Sequence, residues 1–327
     1  MPPSGLPRAS IVIPCFNHGS FVAEAAASAL AQTDAQTHIV IVNDGSTDGT
    51  TPAACDACRS DRVTILHQPN LGLPSARNRG AMLAAREHNP EFLVFLDADD
   101  WIEPAFVSRL AGRLAQEQSA GRAQDVSHAY CQERLVGLGT GIWEVPEWDP
   151  LLLMFTNLHP VTTLVRRDRF EAVGGFDESM RGGYEDWDLW LKFAERGWRG
   201  IRVPEPLFVW RRHSNTTMVM QVIHDHESLY RRLIANHADL YKRHALDLLI
   251  LTNNLVHRFG ADWVDERGRP LNLEALREAP AMYESMVAVR LQRRLTQLLQ
   301  RLGRPFRAGP PRPAHEPIAL PAAAPTR

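Results

Sequence analysis

Short apolar runs alternate with longer helical segments along the first hundred residues, and this alternation is the strongest constraint on the fold. The apolar runs are typical of buried strands, and the Ala-rich segments between them have helical periodicity. A strand–helix–strand rhythm predicts a mostly parallel sheet that helices cover on both faces. The predicted strands are residues 10–14, 38–43, 63–66 and 92–96, and the predicted helices are residues 21–31 and 74–87.

The pattern is less regular after Gln116, where three more elements are predicted before the chain becomes helical. A tail rich in Pro, Ala and Arg follows the helical part, and such a composition is typical of disorder. The three elements are a strand at residues 161–165, a helix at residues 184–196 and a strand at residues 207–210. The expected organisation is an α/β domain over residues 1–217, a helical extension over residues 218–303 and a disordered tail over residues 304–327.

Composition and charge exclude several classes of function. The chain has 327 residues, of which 44% are hydrophobic and 23% charged, and these values are ordinary for a globular protein. A formal net charge of −2 gives no indication of nucleic-acid binding. We find no signal peptide and no apolar run of roughly 20 residues that would span a membrane, so we expect a cytoplasmic protein. Cys55 and Cys58 are not followed by a second Cys or His pair at zinc spacing, so they give little indication of a zinc site.

The C-terminal segment is strongly basic, with eight Arg and two Glu over residues 281–327. Five leucines between residues 291 and 302 share one face of a predicted helix. In one interpretation this basic amphipathic helix contacts anionic lipid, which would place the protein at the inner face of the membrane. In the other interpretation the leucines pack on the body of the protein or on a second subunit of a homo-oligomer, and the arginines remain in water.

Two carboxylates follow the last strand of the alternating region. Asp97 and Asp99 are one residue apart, so paired anionic oxygens reach the strand end. Such oxygens are hard ligands that suit Mg²⁺ or Mn²⁺, and a divalent ion held there can neutralise a diphosphate leaving group. The alternative is an acidic loop that only solvates the strand end, since D-x-D is a short pattern.

Polar clusters follow three of the predicted strands. Asn17 follows the first strand, Asp44-Gly45-Ser46 the second and Asp97-Ala98-Asp99 the fourth. Binding sites in parallel sheets lie outside the carboxyl ends of the strands. The sequence therefore predicts that these clusters gather at one edge of the sheet.

Several short motifs occur along the chain in a fixed order. They are Ile11–Asn17, Val42–Thr50, Asn70–Asn78, Asp97–Asp100, Gly174–Asp177, Glu185–Leu189 and Arg211–His213. In this order they resemble the family 2 glycosyltransferases of the GT-A fold, over about residues 7–217. The resemblance implies a GT-A fold, a nucleotide-sugar donor that is usually a UDP-sugar, and transfer with inversion at the anomeric carbon.

For the donor, the resemblance implies a set of contacts at the sheet edge. Asp44 accepts a hydrogen bond from the N–H of a uracil ring, and Asp97 contacts the ribose or a metal-bound water. Arg77 either approaches the diphosphate or holds the Asp97 region through a bidentate pair. Asn17 reaches the nucleotide or only caps the next helix. The implied donor-binding residues are Pro14, Asn17, Asp44, Asn70, Arg77, Asp97 and Ala98.

The resemblance also implies a divalent metal ion, Mn²⁺ or Mg²⁺. Asp99 is the implied direct ligand, with Asp97 as the second acid of the pair. His213 resembles a C-terminal histidine that completes the metal shell in some relatives. Imidazole is an acceptable ligand of Mn²⁺ and a poorer ligand of Mg²⁺. The alternative is that His213 binds no metal.

Two other acids are expected to cap helices. Asp48 follows a glycine-containing turn and is predicted to cap the helix after it. Asp100 is predicted to cap the helix that begins near Glu103-Pro104.

Asp186 is the predicted catalytic base. Inversion by a single displacement needs a carboxylate that takes the proton of the acceptor hydroxyl, on the face opposite the diphosphate. The resemblance assigns acceptor binding to Glu185, and Trp187 is a candidate acceptor platform. The alternative is that these acids lie at a helix N-terminus only because the helix dipole favours them there.

The resemblance as a whole implies a metal-dependent, inverting hexosyl- or N-acetylhexosaminyl-transferase. Its acceptor would be a glycan, a lipid-linked molecule or a protein, in the assembly of surface polysaccharide, glycolipid or glycoprotein. One rival function is a nucleotidyltransferase, but residues 14–20 lack the glycine-rich, basic phosphate loop that it needs. The other rival is a non-catalytic module that binds nucleotide sugars, which would tolerate loss of the base.

Overall fold

The computed structural model of the protein describes residues 5–213 and 217–260. Over these ranges the chain forms nine strands and ten α-helices. The strands are β1 (Arg8–Cys15), β2 (Gln36–Asp44), β3 (Val63–Gln68), β4 (Phe92–Phe95), β5 (Trp101–Ile102), β6 (Val126–Gly137), β7 (Gly141–Trp143), β8 (Leu164–Arg166) and β9 (Arg199–Arg212). The helices are α1 (Val22–Leu30), α2 (Thr51–Ala57), α3 (Leu73–His88), α4 (Phe106–Ser119), α5 (Pro150–Phe155), α6 (Arg167–Ala172), α7 (Glu185–Glu195), α8 (Thr217–Asn236), α9 (Ala238–Arg243) and α10 (Ala245–Gly260).

The strands form one sheet in the order β3-β2-β1-β4-β8-β6-β9-β5, and β7 pairs with β6. The first half is parallel, because β1 runs parallel to β2 and β4, and β2 runs parallel to β3. In the second half β8 is antiparallel to both β4 and β6, whereas β6 and β9 are parallel. The predicted α/β architecture, a mostly parallel sheet flanked by helices, is confirmed.

Alternate side chains of the central strands enter two hydrophobic cores, one on each face of the sheet. Ile11 and Ile13 of β1 pack with α1 and α4, whereas Val12 packs with α3 and α7 on the other face. Ile41 and Val42 repeat this division on β2, and all five side chains are fully buried. Burial of one such side chain contributes about 1.5–3 kcal/mol. The strands are apolar at successive positions because both faces are covered.

Two of the predicted helix caps have different outcomes. Asp48 caps α2 as predicted, because its Oδ1 accepts hydrogen bonds from the N–H groups of Thr50 and Thr51. The prediction for Asp100 is wrong, since α4 begins only at Phe106 and the Asp100 carboxylate is buried elsewhere. Its Oδ1 accepts a hydrogen bond from the backbone N–H of Arg211 on β9, at 2.8 Å.

Three helices, α8 to α10, follow β9 in the described part of the chain. None of the helices in residues 5–213 and 217–260 is both long enough and apolar enough to cross a membrane. The predicted basic helix within residues 281–303 and the predicted tail at residues 304–327 lie outside the described residues.

Helix α3 approaches the sheet closely at Gly80. A Cβ atom on Gly80 would lie 2.4 Å from Cγ1 of Val12 and 3.0 Å from Cγ2 of Val42, both in the core. A side chain there would overpack the contact that fixes α3 against β1 and β2. Gly112, in α4, is the opposite case, since a Cβ atom there would meet no heavy atom within 4 Å.

We expect Gly80→Ala to lower the free energy of unfolding by about 1–3 kcal/mol, because the overpacking outweighs the gain in helix propensity. The matched control Gly112→Ala should raise the same quantity by about 0.5–1 kcal/mol, since only helix propensity changes. Urea unfolding of the two variants and the parent measures both values. Equal stabilisation by the two substitutions would contradict the close approach of α3.

Candidate active site

The loop after β1 and the loop after β2 are joined at the sheet edge by Asn17. Its Oδ1 accepts hydrogen bonds from the N–H groups of Thr47 and Asp48, and its own N–H donates to Ser46 Oγ at 3.0 Å. The backbone of Asn17 is left-handed, with φ of 57°, and Asn tolerates this conformation better than most residues. The side chain of Asn17 is exposed, so it remains accessible at the sheet edge while it orders the two loops.

Asp44, at the end of β2, organises the loop that precedes α3. Its Oδ1 accepts hydrogen bonds from Gln68 and from the N–H of Leu71, and its Oδ2 accepts one from the N–H of Gly72 at 2.9 Å. The carboxylate is buried, so these donors replace its hydration. The contact of Asp44 with a uracil ring remains a prediction, whereas its hydrogen bonds to the loop before α3 are observed in the structure.

Asn70, Pro14 and Ala98 complete the predicted donor edge. Asn70 is exposed and lies against the β2 loop, because a Cβ atom on Gly45 would lie only 2.4 Å from the Asn70 nitrogen. Only glycine fits at this position, which also has a φ of 67°. Pro14 and Ala98 are both buried, and their contacts with the donor stay predictions.

Arg77 is a buried cation that joins the D-x-D motif to the start of α7. Its side chain is 1% exposed, and its two terminal nitrogens donate to different carboxylates. One lies 2.6 Å from Asp97 Oδ1 and the other 2.5 Å from Glu185 Oε1. Burial alone would lower the pKa of Arg77, but the charges of Asp97 and Glu185 outweigh it and raise the pKa. Of the two predicted roles, the structure has Arg77 holding Asp97, through one oxygen rather than a bidentate pair.

Asp99 and His213 form the centre of the candidate metal site. Nε2 of His213 lies 2.9 Å from Oδ2 of Asp99, and both side chains are partly exposed. The His213 ring stacks on Phe21 with the ring centroids 5.4 Å apart, which fixes its plane. Arg211 fixes the other side of the pair, since its Nε donates to the Asp99 carbonyl at 2.9 Å.

The donor set fits Mn²⁺ or Mg²⁺ in part. A carboxylate oxygen beside an imidazole nitrogen is an acceptable pair of ligands for Mn²⁺, whereas Oδ1 of Asp97 is already bonded to Arg77. Among residues 5–213 and 217–260, no group of three or more His, Cys, Asp or Glu has metal-site geometry. Ions of this kind commonly keep several waters and substrate phosphates as ligands, so two protein ligands are compatible with a site that a diphosphate completes.

Asp186 lies in the first turn of α7, next to the Arg77 ion pair. Its Oδ2 accepts a hydrogen bond from Asn157 Nδ2 at 3.0 Å, and its Oδ1 accepts one from the N–H of Trp187. Burial and the charge of Glu185 raise the pKa of Asp186 to about 7, against the lowering effects of Arg77 and the two N–H donors. A carboxylate with a pKa near neutrality is suited to general-base catalysis at neutral pH.

Glu185 and Trp187 are both buried beside Asp186. Glu185 is held by Arg77, as described above. Trp187 is 3% exposed, and its indole N–H donates to the carbonyl of Leu153 at 2.6 Å. Trp187 is therefore a core residue here, which corrects its prediction as an acceptor platform: the helical position that was compatible with either role faces the core.

Asn157 is a site residue that the sequence did not single out. It follows α5 in a segment that matches none of the recognised motifs, and its contact with Asp186 joins residues 29 positions apart. No local spacing signals such a contact. Asn157 Oδ1 is buried and has no hydrogen-bond partner among the described residues, which is unusual for a buried polar atom.

Comparisons with known proteins agree with the motifs. The profile of the family described as Glycosyl transferase family 2 matches residues 10–174, slightly more than half of the chain. The chain is 38% identical over 114 residues to the uncharacterized glycosyltransferase EpsJ of Bacillus subtilis, covering 35% of this chain and 32% of EpsJ. It is 30% identical over 198 residues to an uncharacterized glycosyltransferase of Rickettsia typhi, covering 57% of this chain and 58% of that protein.

The fold also matches that of solved structures. S. aureus TarS 1-349, solved in complex with UDP-GlcNAc, superposes with a TM-score of 0.53 at 17% identity, over 72% of each chain. This likeness is evidence for the fold. With the matching family profile and the motifs in their order, the resemblance predicted from the sequence is confirmed: the chain belongs to glycosyl transferase family 2 and has the GT-A fold.

Proposed function

We propose that this protein is an inverting, metal-dependent glycosyltransferase that moves a sugar from a UDP-sugar to an acceptor hydroxyl. The observation that carries the proposal is the buried Arg77 bridge, which joins Asp97 of the D-x-D motif to Glu185 at the start of α7. A donor-side acid and the helix that bears Asp186 are thereby held on one guanidinium. Inverting transfer needs this convergence, because the hydroxyl that the base deprotonates attacks the same sugar carbon that the diphosphate leaves.

The donor side of the proposal uses the edge formed by the β1, β2 and β4 loops. TarS was solved with UDP-GlcNAc, and we assign a donor of the same class to this chain. Asn17, Asp44 and Asn70 shape the nucleotide side, and Asp97 lies toward the ribose. Asp99 and His213 would hold Mn²⁺ or Mg²⁺, which would supply positive charge to the departing diphosphate.

The acceptor side of the proposal depends on Asp186. The oxygen of the acceptor hydroxyl forms a bond to the anomeric carbon, and the bond from that carbon to the diphosphate breaks. The diphosphate leaves with the electron pair, and the hydroxyl proton goes to the Asp186 carboxylate. Asn157 orients that carboxylate, and the N–H of Trp187 holds its second oxygen. Attack from the side opposite the leaving group accounts for inversion.

Asp186→Asn should retain UDP binding and lower the transfer rate at least 100-fold, because general-base catalysis contributes about 10²–10⁴-fold. UDP release in the presence of sugar donor and acceptor measures the rate, and calorimetry measures UDP affinity. Asp239→Asn, at a side chain that is 92% exposed on α9, is the matched control and should change neither quantity. Undiminished turnover by Asp186→Asn would exclude Asp186 as the base.

The pH profile of kcat/KM should rise to a plateau with an inflection near pH 7. The pKa of Asp186 is raised from its ordinary value to about 7, so the carboxyl is neutral below that pH and is unable to accept a proton. We expect a tenfold fall in kcat/KM per pH unit below the inflection, and Asn157→Ala should move the inflection to higher pH because it removes a donor to the charged form. An inflection near pH 4 in the parent enzyme would contradict this assignment.

Asp99→Asn should abolish the dependence of UDP binding on Mn²⁺. In the parent protein, UDP at a hundred times its dissociation constant should stabilise the fold by about 2.7 kcal/mol when Mn²⁺ is present, and EDTA should remove most of that effect. Thermal unfolding with UDP, in Mn²⁺ and in EDTA, measures the difference. If Asp99→Asn keeps the full Mn²⁺-dependent stabilisation, Asp99 is not a metal ligand.

A further inference from the structure

The donor loop is the loop of residues 69–72, which precedes α3. Arg181 is an exposed cation beside this loop, and the function proposed above gives Arg181 no role. Its side chain lies over Gly72, since a Cβ atom on Gly72 would be 3.3 Å from Cγ of Arg181, 3.4 Å from its Cδ and 3.6 Å from its Nε. In the part of the chain that the structure describes, the guanidinium has no hydrogen-bond or ion-pair partner, in contrast to Arg77.

The backbone at Arg181 is held in place on both sides. Met180 is fully buried in the core, and its N–H donates to the carbonyl of Asp177 at 3.0 Å. Gly182 packs against α8, because a Cβ atom there would lie 3.4 Å from Cδ2 of Leu229. The loop therefore presents Arg181 from a fixed base, although the side chain itself is exposed.

Gly72 is part of the donor loop that Asp44 organises. The N–H of Gly72 donates to Asp44 Oδ2, and its φ of 92° belongs to the region that favours glycine. Arg181 thus lies against this loop, and only three residues separate it from Glu185 at the start of α7. Arg181 is therefore beside the loop that Asp44 organises and close in sequence to the helix that bears the proposed base.

A diphosphate at this edge would gain, beyond the proposed metal ion, from a cation that is not already paired with a carboxylate. Arg77 is held between two carboxylates and is almost completely buried. Arg211 forms an ion pair with Glu24. The diphosphate of a nucleotide sugar carries negative charge on each phosphate and would enter an edge that is rich in carboxylates. Arg181 can offer all of its N–H donors to phosphate oxygens, and the guanidinium fork matches their geometry.

We propose that Arg181 binds the diphosphate of the nucleotide-sugar donor, a proposal that rests on the function given above. The guanidinium donates hydrogen bonds to phosphate oxygens of the intact donor and keeps them as the sugar leaves. Contact with the diphosphate was one of the two roles predicted for Arg77, and this proposal assigns it to Arg181. The alternative is a surface arginine that only water solvates.

The test compares UDP with uridine, which lacks the phosphates, as ligands of the parent protein and of three variants. Arg181→Gln should weaken UDP binding at least tenfold and leave uridine binding unchanged. Arg181→Lys should lose less affinity, because it keeps the charge but not the fork. Arg86→Gln is the matched control, at an arginine that is 74% exposed near the other end of α3, and should change neither affinity. Calorimetry measures UDP, and ligand-observed NMR measures uridine.

Each outcome separates the inference from the proposed function. A loss that is confined to UDP supports a contact with phosphate. An equal loss for UDP and uridine, or no loss for either, overturns the role of Arg181 and leaves the glycosyltransferase proposal standing. If the parent protein itself binds no UDP, the proposed donor fails before any variant is compared. Because Arg181 is exposed, thermal midpoints of the variants should equal that of the parent.

Discussion

The arrangement of the site depends on one buried ion-pair cluster, in which Arg77 holds two carboxylates from distant parts of the chain. Asp97 is 20 positions from Arg77, and Glu185 is 108 positions away. A buried guanidinium without anionic partners is costly, and removal of its buried partner, here Glu185, typically costs about 3–5 kcal/mol, whereas Asp97 is 38% exposed and contributes less. The loop after β4 is thereby held to the start of α7, so the proposed donor side and the proposed acceptor side of the site share one fixed point.

The same cluster sets the protonation of the proposed base. Burial and the charge of Glu185 favour the neutral form of Asp186, whereas Arg77 and the N–H of Asn157 favour its charged form. The pKa near 7 is the balance of these opposing effects, so the loss of Arg77 or of Glu185 would shift it. Fold stability and the acidity of the base therefore have a common origin in this protein.

Sequence reasoning succeeded where structure is local. The apolar runs of β1 and β2 predicted buried strands because helices cover both of their faces, and the ends of parallel strands then bring Asn17, Asp44 and Asp97 to one edge. The Asp48 cap was predictable because its partners are two and three residues away. Each of these outcomes needs only a strand, a turn or the first turn of a helix.

Sequence reasoning failed where one residue serves two distant elements. Asp100 bonds a strand 111 positions away, so its spacing from α4 suggested a cap that does not form. Trp187 lies on a helical face that either core or solvent could have covered, and only the packed α5 decides for the core. Asn157 and Arg181 lie in loops whose position relative to the site depends on tertiary packing. Helix α8, which packs against the loop that carries Arg181, lies beyond the residues that the family profile matches. The strand-end residues of the proposed donor side are therefore predictable from the local motifs of the first hundred residues, and Glu185 and Asp186 from one later motif. Asn157 and Arg181, by contrast, reach the site through contacts that no motif contains.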